Sequence, residues 1–195
     1  MVPSGAVRRV VAFAAGCALL AGGLSACGGG ERQDVDEPAG TYPAHVLDAS
    51  FPREQSVSRT EVMRIAVRNT GDKTLPNLAV SIDSLSREDE QSGVADKARP
   101  VWIVDRAPTG GDTAYVGTWA LGPLKPGATR EFTWKLTPVL PGTHTVKWTV
   151  AAGLNGKAKA EAPDAGRPQG SFTIHVSGRP AAASVDPETG DVIRK

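Results

Sequence analysis

The sequence predicts an all-β domain, an antiparallel sandwich of about seven to eight short strands. Three observations carry this. Apolar residues alternate with polar ones in Glu61–Asn69, Thr129–Thr137 and Thr143–Val150. Asn69-Thr70-Gly71-Asp72, Leu124-Lys125-Pro126-Gly127 and Pro141-Gly142 punctuate the runs as turns. No stretch shows the three-to-four-residue period of an amphipathic helix.

The elements follow in order. His45–Phe51 reads as a first short strand. In Glu61–Asn69, Met63, Ile65 and Val67 share one face, with Arg64 and Arg68 on the other. Leu78, Val80 and Ile82 mark the inner face of the next strand, with Ser81 and Asp83 outward. Ser84–Arg99 is polar and irregular and reads as a long exposed loop. Pro100–Asp105 is a strand carrying Trp102, and Thr113–Leu121 is a strand carrying Tyr115 and Trp119. Phe132, Trp134 and Leu136 point inward from Thr129–Thr137. Val146, Trp148 and Val150 share one face of Thr143–Val150. Leu154–Gln169 is rich in Ala, Gly and Lys and reads as a loop. Ser171–Ser177 is the last strand, with Phe172, Ile174 and Val176 inward. Residues 179–195 read as a disordered tail.

The N-terminus carries a different signal. Arg8 and Arg9 precede an apolar run, Val10–Leu24. As a helix it would span roughly 22 Å at 1.5 Å per residue, short of the ~30 Å hydrocarbon core. Its length suits a signal-peptide core. The run closes on Leu24-Ser25-Ala26-Cys27, which resembles the lipobox of bacterial lipoproteins. The resemblance implies cleavage after Ala26 and a diacylglyceryl group, with its palmitate-type chains, on the Cys27 sulfur. The expected organisation is a signal peptide over 1–26, a flexible tether over 27–41, a sandwich over 42–178 and the tail. Gly28-Gly29-Gly30 and the polar residues after it suit a tether. Two acyl chains make a lasting anchor where one would not. The expected location is the extracytoplasmic side of the cell membrane. The Arg pair lacks the residues that usually flank a twin-arginine signal, so ordinary secretion is the expected route.

Composition narrows the chemistry. There are two cysteines, Cys17 and Cys27. The first leaves with the signal peptide and the second is lipidated, so no thiol remains for a disulfide, a metal or a nucleophile. The chain has 22 basic and 21 acidic residues, a net charge of +1. No basic block survives cleavage, so nucleic acid is not an expected partner.

Ile65-Ala66-Val67-Arg68-Asn69-Thr70-Gly71, followed by Leu78-Ala79-Val80-Ser81-Ile82, resembles the opening of CARDB-type and related bacterial Ig-like domains. Leu124-Lys125-Pro126-Gly127 before Phe132-Thr133-Trp134 resembles their later turn. Pro141-Gly142-Thr143-His144-Thr145-Val146 resembles the start of their penultimate strand. The similarity covers Glu61 to Val176. It implies an Ig-like or fibronectin-III-like sandwich at a cell surface and assigns no catalytic residues. The Ser84–Arg99 insertion and the strands of Trp102 and Trp119 depart from the pattern.

No catalytic, metal or cofactor site is expected. His45, His144 and His175 lie far apart, with no His-x-His or His-x-x-x-His pair. Gly-x-Ser-x-Gly is absent, and Gly110-Gly111-Asp112-Thr113 lacks the Lys of a phosphate loop. Glu88-Asp89-Glu90 reads as a solvated charge run without the spacing of a calcium loop. Trp134 and Trp148 are in phase with the core. Trp102 and Trp119 admit two readings. They close the other end of the core, or they join Tyr115 in an exposed aromatic binding surface. The functional expectation is a non-catalytic domain that binds or scaffolds an envelope protein. A cell-wall or carbohydrate-binding module is the alternative.

Overall fold

The computed structural model describes residues 34–85, 100–180, 183–185, 187–189 and 192–194. The residues of the expected lipobox, Leu24, Ser25, Ala26 and Cys27, lie outside them, as do the first residues of the expected tether and most of Ser84–Arg99.

Twelve strands are described: β1 Gly40–Ser50, β2 Glu54–Ser56, β3 Glu61–Asn69, β4 Ala79–Ile82, β5 Trp102–Arg106, β6 Thr118–Ala120, β7 Thr129–Pro138, β8 Gly142–Ala151, β9 Ala158–Glu161, β10 Gln169–Ser177, β11 Ala183–Val185 and β12 Val192–Arg194. Ten of them form two five-stranded sheets, ordered β5-β7-β3-β1-β9 and β2-β10-β8-β4-β6. The domain is therefore an all-β sandwich.

The core follows from the alternation. β3 and β7 pair antiparallel with Met63 opposite Trp134 and Ile65 opposite Phe132. All four side chains are fully buried, with Val67 and Leu136. The other sheet contributes Val80, Ile82, Val146, Trp148, Val150, Ile174 and Val176. Phe132 and Trp134 stack at 5.8 Å.

Asn69 ties the turns at one end together. It is fully buried. Its Nδ2 donates to the carbonyls of Lys73 and Leu124, both at 2.8 Å. Its Oδ1 accepts the Gly71 amide at 2.9 Å. Its carbonyl accepts the Gly127 amide at 2.9 Å. Gly127 has φ +72°, the left-handed conformation that a Pro-Gly turn requires at its third position. One side chain thus holds the Asn69-Thr70-Gly71 turn against the Leu124–Gly127 turn.

The expected antiparallel sandwich of seven to eight strands needs correction. The sheets are mixed and together hold ten strands, because β1 pairs parallel with β9 and β2 parallel with β10. After β1 the chain buries Phe51 and crosses to the other sheet as β2. The Leu154–Gln169 loop contains β9. Ala158 is buried there, and small side chains let the strand lie close against β1. The expected Thr113–Leu121 strand shortens to β6. The Thr113 hydroxyl donates to the Thr118 carbonyl at 2.8 Å and accepts the Tyr115 amide at 3.1 Å, folding 113–117 into a turn. The tail expected to be disordered carries β11 and β12, paired antiparallel.

The expected tether is also held from Asp34 onward. Asp34 is buried, at 2% exposure. Its Oδ2 accepts the Tyr115 hydroxyl at 3.0 Å, and its carbonyl accepts the Asn155 side-chain amide at 2.8 Å. Glu37 accepts the Leu154 amide at 2.6 Å and the Asn77 side-chain amide at 3.1 Å.

Gly170 marks a close approach within β10. It pairs with Trp148 of β8, and a Cβ there would lie 2.8 Å from the indole Cε2. Gly170→Val is expected to cost about 2–3 kcal/mol by overpacking. A urea titration showing a change below ~0.5 kcal/mol would contradict the packing of Trp148 on that glycine.

Candidate functional site

The three aromatic side chains proposed as one surface differ in burial. Trp102, at the start of β5, is 2% exposed. Its indole Nε1 donates to Gln55 Oε1 at 2.8 Å, and its ring packs on Phe51 at 5.8 Å and His144 at 5.6 Å. Trp119 is half-buried and meets Trp134 edge-on at 5.5 Å. Tyr115 is 39% exposed and sits in the turn before β6. An aromatic strip of Trp102, Tyr115 and Trp119 is therefore corrected. Both Trp side chains belong to the packing, because their large apolar area is satisfied there.

The histidines do not converge on one centre. His45 and His175 are exposed on β1 and β10, and His144 is buried with its Nε2 3.1 Å from the Leu140 carbonyl. Among the described residues, no group of three or more His, Cys, Asp or Glu is placed to hold a metal ion.

Two surface features among the described residues bear on binding. The first is a groove of about 640 Å³, a size within the range of small-ligand sites. Its floor includes Ser81, Thr118 and Thr149, which lie side by side on β4, β6 and β8. Ser81 and Thr149 alternate with buried neighbours and so point away from the core. The Ser81 and Thr118 hydroxyls are 2.8 Å apart. Tyr115, Lys159 and Arg167 are also in the lining. With Glu161 also in the lining, such a groove offers hydroxyl donors and acceptors, two cations, a carboxylate and an aromatic ring to a polar ligand. The outward Ser and Thr of the alternating strands were visible in the sequence. Lys159 and Arg167 were not, because they sit in the crossover read as a loop.

The second feature is the edge formed by β5. It pairs only with β7 among the described residues. Ile103 and Val104 are consecutive, so they point to opposite faces, yet they are 50% and 37% exposed. Val139, just past the end of β7 and with its amide donating to the Val101 carbonyl at 2.9 Å, is also 37% exposed. An edge strand that presents apolar side chains is a template for another strand.

No protein-family model matches the sequence, and no curated protein matches it. Among solved structures, the chain is similar to the CARDB domain of a Pyrococcus furiosus protein crystallised with di-metal ions, at 16% identity and TM-score 0.44, over 72% of this chain and 92% of that one. It is also similar to native alpha-2-macroglobulin from Escherichia coli from domain MG7 to the C-terminus, at 16% identity and TM-score 0.44, over 77% of this chain but 21% of that one. A beta-glucosidase from Listeria innocua in complex with glucose is similar at 12% identity and TM-score 0.39, over 71% of this chain and 16% of that one.

Proposed function

We propose that the chain is a lipid-anchored extracytoplasmic lipoprotein whose sandwich is non-catalytic and binds an envelope protein. The lipobox at Leu24–Cys27 supports the anchor. The observation that carries the binding role is the β5 edge with Ile103 and Val104 exposed. A partner strand added there would gain main-chain hydrogen bonds and bury these side chains.

The test is capture from native envelopes with the anchored protein and an Ile103→Lys/Val104→Lys variant. Both positions are exposed, so folding should change by no more than about 0.5 kcal/mol. The expected result is a stoichiometric protein partner whose recovery falls at least tenfold in the variant. Equal recovery by both proteins would remove β5 as the docking edge.

A second reading, a cell-wall polysaccharide-binding module, is favoured by the hydroxyl-floored groove. Retention on purified wall polysaccharide, with no protein partner and with loss on Arg167→Ala, would move the assignment there.

A further inference from the structure

The anchor and the position of Asp34 together select which side of the domain meets the membrane. We infer that the Tyr115–Val116 turn and Val35 form a membrane-contacting face that rests in the interface of the bilayer. This rests on the reading that Cys27 is lipidated.

Chain length limits how far the domain stands from the anchor. Seven peptide steps separate Cys27 from Asp34, and a fully extended chain covers at most ~3.3–3.6 Å per residue. Asp34 therefore stays within about 25 Å of the lipidated sulfur, less if the glycines coil. Asp34 is no free end. It is buried, bonded to the Tyr115 hydroxyl and to the Asn155 side chain, and Glu37 grips the Leu154 amide three residues later. The leash thus ends on the domain surface beside Tyr115.

The surface next to that point is apolar. Val116 is 85% exposed. Val35, adjacent to Asp34, is 55% exposed, and Tyr115 is 39% exposed. Val116 sits at a turn tip before Gly117, whose φ of +67° sharpens the bend. A protruding valine beside a tyrosine suits the bilayer interface, where Tyr is at home with its ring apolar and its hydroxyl hydrogen-bonded. A short leash supplies a high effective concentration, so weak partitioning suffices to orient the domain. Asp36 and Asp112 are exposed nearby, so the contact is apolar rather than an attraction to anionic lipid.

The experiment uses the full mature lipoprotein in phosphatidylcholine vesicles. A lipidated Cys27 is blocked, so an introduced cysteine is the only thiol. An environment-sensitive dye is placed by Val116→Cys and, as control, by Glu54→Cys on β2, the opposite edge of the sheet that holds β6. Vesicles carry a quencher near the headgroup. The expected result is a blue-shifted dye at position 116 with at least twofold stronger quenching than at position 54, little changed by anionic lipid or salt. Val116→Asp, with the dye at Val35→Cys, should reduce the quenching at position 35.

Equal quenching at positions 116 and 54, on protein whose mass shows the diacylglyceryl group, would overturn the inference and leave the anchor reading standing. A chain without that mass increment would overturn the anchor reading, and the inference with it.

Discussion

Asn69→Asp should lower stability by about 3–5 kcal/mol at neutral pH, with a cost that shrinks in acid. The Asn69 amide donates to two carbonyls and is fully buried. The substitution removes both donors and sets a carboxylate oxygen against the Lys73 and Leu124 carbonyls. Leaving buried acceptors unpaired costs about 1–3 kcal/mol each, and an unpaired buried charge costs more. Burial and the facing carbonyls raise the introduced carboxyl's folded-state pKa above its unfolded value. The folded state then binds more protons than the unfolded state, so relative stability falls as pH rises from the unfolded to the folded value. Below the unfolded value, near ~4, the protonated form can donate to one carbonyl and the penalty is smallest. Urea titrations of the variant and the parent across pH 3.5–8 check this. Asn69→Ala is the control, since it removes the same donors without a titrating group. A pH-independent difference for Asn69→Asp would show that the site is open to water.

The second large effect is expected at Trp102. Trp102→Ala should cost about 3–5 kcal/mol, the range for a large aromatic removed from a core. For a domain of this size that lowers the melting temperature by roughly 10 °C. Trp102→Phe should cost less, about 1–2 kcal/mol, because it keeps contact with Phe51 and leaves only Gln55 Oε1 without its donor. Near-neutral melting for Trp102→Ala would instead return this residue to the surface and revive an aromatic strip. The position also matters for the β5 edge. Trp102 and Val101 are both buried, and they hold the strand whose next two residues are exposed. The alanine variant should therefore weaken partner capture even at temperatures where the domain remains folded.

Much of the fold was legible in local patterns. Met63, Ile65 and Val67 alternate with charged or small neighbours, as do Phe132, Trp134 and Leu136, and both sets lie in the core. The Pro126-Gly127 turn was readable because few residues tolerate the φ of +72° at Gly127, and the Asn69-Thr70-Gly71 turn because an Asn side chain bonds the backbone two residues on. Trp102 was ambiguous because alternation fails in its strand. Val101 and Trp102 are buried in succession and Ile103 and Val104 are exposed in succession. That is the signature of a strand whose first residues plug the end of a sandwich while the rest lies at its edge. β9 was hidden because Ala158 and Ala160 give no apolar contrast against a loop of Ala and Gly.

The sequence by itself determined the strands with one wet face, the turns between them and the absence of any thiol after Cys27. It also carries the four consecutive residues, Leu24-Ser25-Ala26-Cys27, whose resemblance to a lipobox supports the proposed anchor. These are local properties, set by side-chain period and backbone preference within a few positions. The tertiary structure alone decided that β1 and β2 divide one stretch of chain between two sheets, and that β9 returns to lie parallel to β1. It alone drew Asp34 onto Tyr115 and placed Ser81, Thr118 and Thr149 side by side. These features join residues remote in the chain. Their formation depends on which surfaces remain uncovered once the core has closed, and no local period records that.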